Sequence, residues 1–169
     1  MALLPILTYP NPRLHIVARP VQAVDARIRT LISDMLQTMT AAKGIGLAAT
    51  QVDVHERLIV VDVSPSYDQP LVLINPVLIS AGPEDCLNEE GCLSVPGVYD
   101  QVLRYDCVTV QALDEQGVSR PIEAKGLLAR CIQHEMDHLM GKVFVQYLSQ
   151  LKRSRIRAKM IKAQREAKD

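Results

Sequence analysis

The chain has 169 residues, 48% of them apolar and 22% charged, enough for one globular domain with a sizeable core and not the composition of a disordered polymer. Nineteen basic residues balance nineteen acidic ones, so overall charge gives no reason to expect a DNA partner. No apolar run approaches the roughly 18–20 residues of a membrane span, and the opening segment, with Pro5, Pro10 and Pro12, has no signal-peptide pattern, so no membrane partner and a cytoplasmic location are expected.

From Asp25 to Lys43 the residues Ile28, Leu31, Ile32, Met35, Leu36 and Met39 follow helical spacing, with Asp25 as N-cap and Gly44 as stop. A small-residue segment follows, Gly44-Ile45-Gly46-Leu47-Ala48-Ala49-Thr50-Gln51. Short strand-like runs come next at 58–63, 71–79 and 108–113, separated by Ser64-Pro65, Ala81-Gly82-Pro83 and Asp114–Gly117. Between them lies the Gly- and Pro-containing segment Glu90–Gly97. A second helix is expected from about Lys125 to Met140 and a third from about Ser149 to near the end. Strands grouped between helices, without βαβ alternation, predict an α+β domain with mostly antiparallel sheets. The four cysteines, at 86, 92, 107 and 131, form no CxxC pair, and a disulfide framework is not expected.

The strongest chemical signal is His134-Glu135-Met136-Asp137-His138, an HExxH motif. Residues i and i+4 share a helix face, so both imidazoles can reach one cation, with the glutamate beside them to act on water there. The stripe Leu127, Cys131, His134, His138 turns the histidines toward the apolar, inward face. Asp137 falls on a different face and is expected to matter less. A catalytic site of this kind normally has three protein ligands. Where a third histidine would follow, the chain has Phe144, and the only acids after His138 are Glu166 and Asp169. The missing ligand is therefore expected upstream, at Cys92 in Glu90-Gly91-Cys92-Leu93-Ser94, where Gly91 permits unusual backbone angles and a close approach. Cys131 competes, but residues i, i+3 and i+7 of one straight helix do not readily converge on a single ion. The fold expectation is an α+β domain over residues 1–169, antiparallel β-sheets packed around the central HExxH helix, with a basic C-terminal helix at about 149–166.

Three motifs in this order, GxGxAAxQ at Gly44–Gln51, EGCxS at Glu90–Ser94 and HExxH at His134–His138, resemble those of the peptide deformylases. Asn11-Pro12-Arg13-Leu14, Val54-His55-Glu56-Arg57 and Asn88-Glu89 extend the resemblance along nearly the whole chain. The resemblance implies that Cys92, His134 and His138 bind one divalent metal ion, with water in the fourth position. Iron, Fe(II), is implied in the cell, with zinc, nickel or cobalt able to substitute. It further implies that Glu135 moves the proton, and that Gln51 and the backbone N–H of Leu93 bind the developing oxyanion. By themselves Gln51 reads as a surface polar residue and the two glycines as a turn. The implied substrates are N-formyl-methionyl nascent peptides, from which formate is released. Gly44 and Gly46 would let backbone approach an extended substrate, and Ile45, Leu127 and Cys131 are candidate walls for the methionine side chain. In the variable segment Pro96–Arg104, Tyr99 stands where some members place a basic residue, and Arg104 is a candidate partner for Glu90.

Residues 151–169 hold eight basic and two acidic side chains, a net of +6, which leaves −6 on the other 150 residues. Such segregation suggests an anionic partner. The resemblance implies the ribosome; the alternative is a solvated helix packed by Leu148, Leu151 and Ile156. Two other readings compete with the whole assignment: an HExxH metallopeptidase, which would need a third histidine or glutamate, and a noncatalytic ribosome-associated module, which would need no metal.

Overall fold

The computed structural model describes residues 2–168; Met1 of the opening segment and Asp169 of the basic tail lie outside the described residues. Seven strands and three α-helices follow in order: α1 (Ala26–Ala41), β1 (Gly46–Ala48), β2 (Leu58–Val61), β3 (Leu71–Ala81), β4 (Asp85–Cys92), β5 (Val95–Tyr105), β6 (Cys107–Leu113), β7 (Ser119–Lys125), α2 (Gly126–Leu139) and α3 (Gln150–Lys168). Five strands form one antiparallel sheet in the order β1-β2-β3-β6-β7, and β4 and β5 form a separate hairpin. The α+β, antiparallel expectation holds.

The sheet is covered on both faces, which explains why β2 is apolar at every position. Leu58 and Val60 point into a cluster with Ile28, Ile32, Met35 and Met39 of α1. Ile59 and Val61 point the other way, into a cluster with Ala129, Cys131, Ile132 and Leu139 of α2. Burying an aliphatic side chain of this size contributes about 1.5–3 kcal/mol, so the two clusters fix both helices onto the sheet. A third cluster joins Val95, Val98 and Val102 of β5 to Phe144, Val145, Ile156 and Met160, and so holds the hairpin against α3. The HExxH helix thus lies between the main sheet and the hairpin.

Several boundaries differ from expectation for identifiable reasons. Asp25 does cap α1, its carboxylate accepting from the Ile28 N–H at 3.1 Å. The stop is made one residue earlier than expected. Lys43 adopts the left-handed conformation at φ +59°. Its N–H donates to Thr40 O and the Gly44 N–H to Met39 O, both at 3.0 Å, a Schellman closure. The Gly- and Pro-containing segment Glu90–Gly97 spans the tip of the β4–β5 hairpin. Gly91 has no left-handed angle; what it provides is room for the Tyr99 ring packed on it. β7 was not foreseen because Pro121 and three charged residues interrupt it, as an edge strand tolerates. Gly141 ends α2 at φ +77°, and a Cβ there would run into the His15 carbonyl, so the end of the HExxH helix is also where the N-terminal segment docks.

On α3, Ile156 and Met160 are buried, but Leu151, expected to pack, is 61% exposed. Gln164 Nε2 donates to Thr8 Oγ1 and Tyr9 O, and Lys152 Nζ donates to Asp100 of β5 at 3.1 Å. The seven other basic side chains of the helix, Arg153 to Lys168, face solvent.

Candidate metal centre

Helix α2 delivers His134 and His138 one turn apart, and the tip of the hairpin delivers Cys92. His138 Nε2 lies 3.2 Å from His134 Nε2 and 3.4 Å from Cys92 Sγ, and all three donor atoms fall within 4.8 Å of one another. Tetrahedral zinc bonds of about 2.0–2.1 Å to nitrogen and 2.3 Å to sulfur put two such nitrogens about 3.3 Å apart and nitrogen and sulfur about 3.6 Å apart. The donor set therefore fits a single tetrahedral divalent ion. Cys131 does not join it. Its Sγ donates to Ile45 O at 3.5 Å, and burial, followed by the carboxylates of Glu135 and Glu90, holds it as a thiol.

Charged groups around the donors are arranged to attract a cation. The Nδ1–H of His134 donates to Glu90 Oε1 at 2.7 Å, which leaves Nε2 as the ligating atom. Burial would lower the affinity of His134 for a proton, but Glu135, Cys92 and Glu90 outweigh it and hold it well above its ordinary pKa. Burial and the neighbouring His134 push His138 well below, keeping that imidazole neutral. The anionic cluster thus takes up positive charge at the atoms where a metal would sit.

Glu90 is itself held. Arg104 Nε and Nη2 donate to its two oxygens at 2.7 and 3.0 Å, and Arg104 Nη1 donates to Asp137 at 2.6 Å. Tyr147 completes the chain, its hydroxyl donating to Asp137 at 2.7 Å and its ring lying 5.1 Å from the guanidinium. Burial raises the Glu90 pKa, yet the bonds from His134 and Arg104 bring it down to about 2. Asp137 does lie on another helix face, as the spacing suggested, and there it anchors the arginine that orients Glu90. Tyr147 had no sequence signal, since it meets Asp137 only in the folded chain.

Glu135 is buried beside the donors. Its Oε1 is 3.9 Å from His138 Nε2 and has no hydrogen-bond partner among the described residues. Burial raises its pKa to about 7 against the opposing pull of His134. Gly46 makes room for it, because a Cβ there would lie 2.5 Å from Glu135 Oε2 and 2.7 Å from Cys131 Sγ. Gln51 is buried rather than a surface residue. Its Oε1 accepts from the Ala48 N–H at 2.9 Å, which turns Nε2 toward Ser94 Oγ at 3.0 Å and Cys92 Sγ at 3.6 Å.

A cavity of about 760 Å³ opens onto these groups. Its wall includes Gly44, Ile45, Gly46, Gln51, Cys92, Leu93, Leu127, Cys131, His134 and Glu135, so ten of the eleven residues singled out in the sequence border one space. The eleventh, His138, is fully buried behind His134. Leu127 departs from the inward stripe: it is 46% exposed and stands at the rim. Leu93 follows Cys92 at the hairpin tip, its side chain against Gly44. Tyr99 also borders the cavity at its exposed edge.

An HExxH helix whose two histidines converge with a hairpin cysteine beside a buried carboxylate defines a metal-dependent hydrolase of the HExxH class. A model of the polypeptide deformylase family matches residues 3–154. Peptide deformylase 1 of Burkholderia multivorans is 61% identical over 165 residues, covering 98% of this chain and 91% of that protein. The peptide deformylase of Neisseria meningitidis serogroup C is 58% identical, covering 98% of both. The crystal structure of peptide deformylase from Ehrlichia chaffeensis superposes with a TM-score of 0.95 at 41% identity, covering 99% of each chain, and that enzyme in complex with actinonin also gives 0.95, at 43%. The chain belongs to the polypeptide deformylase family.

Proposed function

We propose that the chain hydrolyses the formamide of N-formyl-methionyl nascent peptides, with water and the formyl amide yielding formate and a free amino terminus. The observation that carries the reading is the convergence of Cys92, His134 and His138 at tetrahedral spacing beside Glu135. When bound there, a divalent ion supplies Lewis acidity, lowering the pKa of water toward neutrality and polarising a carbonyl.

The chain's own residues do the rest. Glu135 Oε1 accepts the proton of the attacking water, and the same carboxyl returns it to the leaving amine, which departs poorly unless protonated. Such acid–base roles contribute about 10²–10⁴-fold in rate. Gln51 Nε2 and the Leu93 N–H stabilise negative charge growing on the formyl oxygen. Gln51 suits this because its Ala48 bond sets its direction in advance. Gly44, Ile45 and Gly46 line the wall along which an extended peptide lies, and Ile45, Leu127 and Cys131 contribute apolar surface for the methionine side chain. The network Glu90–Arg104–Asp137–Tyr147, buried at Arg104 and reaching the surface at Tyr147, keeps His134 in its ligating tautomer.

Ferrous iron is the native ion in this reading, with zinc, nickel or cobalt able to substitute, since a thiolate with two imidazoles suits each of them. The enzyme acts as one catalytic domain in the cytoplasm; no helix among the described residues is long and apolar enough to cross a membrane. The solvent-facing cations of α3 meet ribosomal RNA. The metallopeptidase alternative is not supported: Phe144, in the position of a third histidine, is buried with its ring 6.2 Å from that of His134.

The test is an anaerobic metal analysis coupled to a formate-release assay on a formyl-Met tripeptide. One metal per chain and stoichiometric formate are expected, with no cleavage of internal peptide bonds. Internal cleavage without formate would overturn the reading.

A further inference from the structure

The wall segment Gly44–Gly46 enters the edge strand β1 of the five-stranded sheet, and its first residues lie just outside the β1–β2 ladder, which begins at Gly46↔Val61. The two glycines have no side chains of their own to anchor this backbone; Leu93 packs on Gly44 and Glu135 and Cys131 on Gly46, and hydrogen bonds fix its direction further. The Ile45 carbonyl accepts from the Asp62 N–H at 2.8 Å. The Gly44 carbonyl accepts from the Tyr67 hydroxyl at 3.0 Å. These two donors come from one turn, at the far end of β2; Cys131 Sγ of α2 also donates to the Ile45 carbonyl at 3.5 Å.

That turn is built to present the hydroxyl. Asp62 is 2% exposed; its Oδ1 accepts from the Ser64 N–H at 3.0 Å and its Oδ2 from the Gln69 N–H at 3.3 Å. Ser64 Oγ accepts from the Asp68 N–H at 3.1 Å and Ser64 O from the Tyr67 N–H at 3.4 Å. Tyr67 takes a left-handed φ of +54°, which a non-glycine residue adopts only where its surroundings hold it. Its ring packs against the cluster under α1.

We propose that Tyr67, set by the Asp62 turn, is a positioning residue for the peptide: its hydroxyl orients the Gly44 carbonyl and so aligns the wall on which the substrate backbone lies. The inference rests on the proposed deformylase reading. Because the contact acts on the peptide track and not on the reacting atoms, its effect grows with substrate length.

Tyr67→Phe removes the hydroxyl and keeps the ring. With the zinc-loaded enzyme, the KM for a formyl-Met tetrapeptide should rise about 3–10-fold, the range for losing one neutral hydrogen bond. The kcat should stay within twofold, and formyl-Met itself should change far less. Asp62→Asn, which disturbs the turn but leaves the hydroxyl, should shift KM in the same direction, and the double variant should be less than additive. A wild-type enzyme that releases no formate refutes the deformylase reading. An active wild type whose Tyr67→Phe variant has an unchanged tetrapeptide KM, or loses kcat equally on short and long substrates, refutes the positioning role, whatever happens to thermal stability.

Discussion

Arg104→Met tests the buried network in the most quantitative way. The side chain is nearly inaccessible and holds Glu90 by two bonds and Asp137 by one. Methionine keeps much of the volume but leaves the mostly buried Glu90 and the partly exposed Asp137 without their cation. Removing one partner of a buried pair typically costs about 3–5 kcal/mol. The electrostatics are of the same order: moving the Glu90 carboxyl from 4.5 to about 2 corresponds to about 3 kcal/mol at about 1.4 kcal/mol per pH unit, a net stabilisation that His134 and Arg104 supply together against burial. For a chain of this size each kcal/mol lowers Tm by about 2–4 °C, so a fall of roughly 6–20 °C is expected at pH 7. The sign with pH follows from linkage. A carboxyl whose folded pKa is depressed stabilises fully above its unfolded value of 4.5, and that contribution is lost as pH falls toward about 2. The gap between wild type and variant, measured by thermal unfolding of the metal-free proteins, should be constant from pH 7 to near 5 and shrink below 4.5. A Tm change under about 2 °C at pH 7, or a gap as wide at pH 3 as at pH 7, would contradict the network's role.

Cys92→Ser should lose tight metal binding while Cys86→Ser, Cys107→Ser and Cys131→Ser each retain one metal per chain; plasma emission analysis of dialysed protein decides it. Metal uptake should release protons, because ligands bind deprotonated and the surrounding anionic groups raise the proton affinity of His134. Zinc titration calorimetry in two buffers of different ionisation enthalpy measures the number, and zinc affinity should fall as pH is lowered. Charge removal at Arg157, Lys162 and Arg165 should weaken ribosome binding and flatten its salt dependence, with hydrolysis of a short formyl-Met peptide largely intact. Deleting the whole helix is a poorer probe, since Ile156 and Met160 belong to the core beside the hairpin.

The parts of the site that could be read in sequence are those set by local spacing. His134 and His138 share a face because a helix repeats every 3.6 residues. Gln51 and Cys92 were legible through their motifs, and Cys131 could be set aside on helix geometry, in keeping with its bond to Ile45 O. What stayed hidden depends on tertiary packing. The β4–β5 hairpin turns Leu87 and Leu103 outward and buries Arg104 on the same side as Val102, so its inner face mixes polar and apolar residues and does not read as a simple amphipathic strand pair. The mixture has a cause: beside its valines the inner face carries the carboxylate and guanidinium that support the metal helix. Tyr67 and Tyr147 were invisible for the same reason, each acting on a segment distant in sequence.

The central claim is that a buried carboxylate moves the proton beside a Cys-His-His metal site. Glu135→Gln keeps the size and much of the hydrogen bonding of the side chain but cannot accept a proton. The decisive measurement is metal content and steady-state formate release on the same preparation of this variant. One metal per chain, a normal fold and a loss of at least about 100-fold in kcat are expected. Turnover within a few-fold of wild type would contradict the proton-shuttle role, and failure to hold the metal would show Glu135 to be a ligand instead.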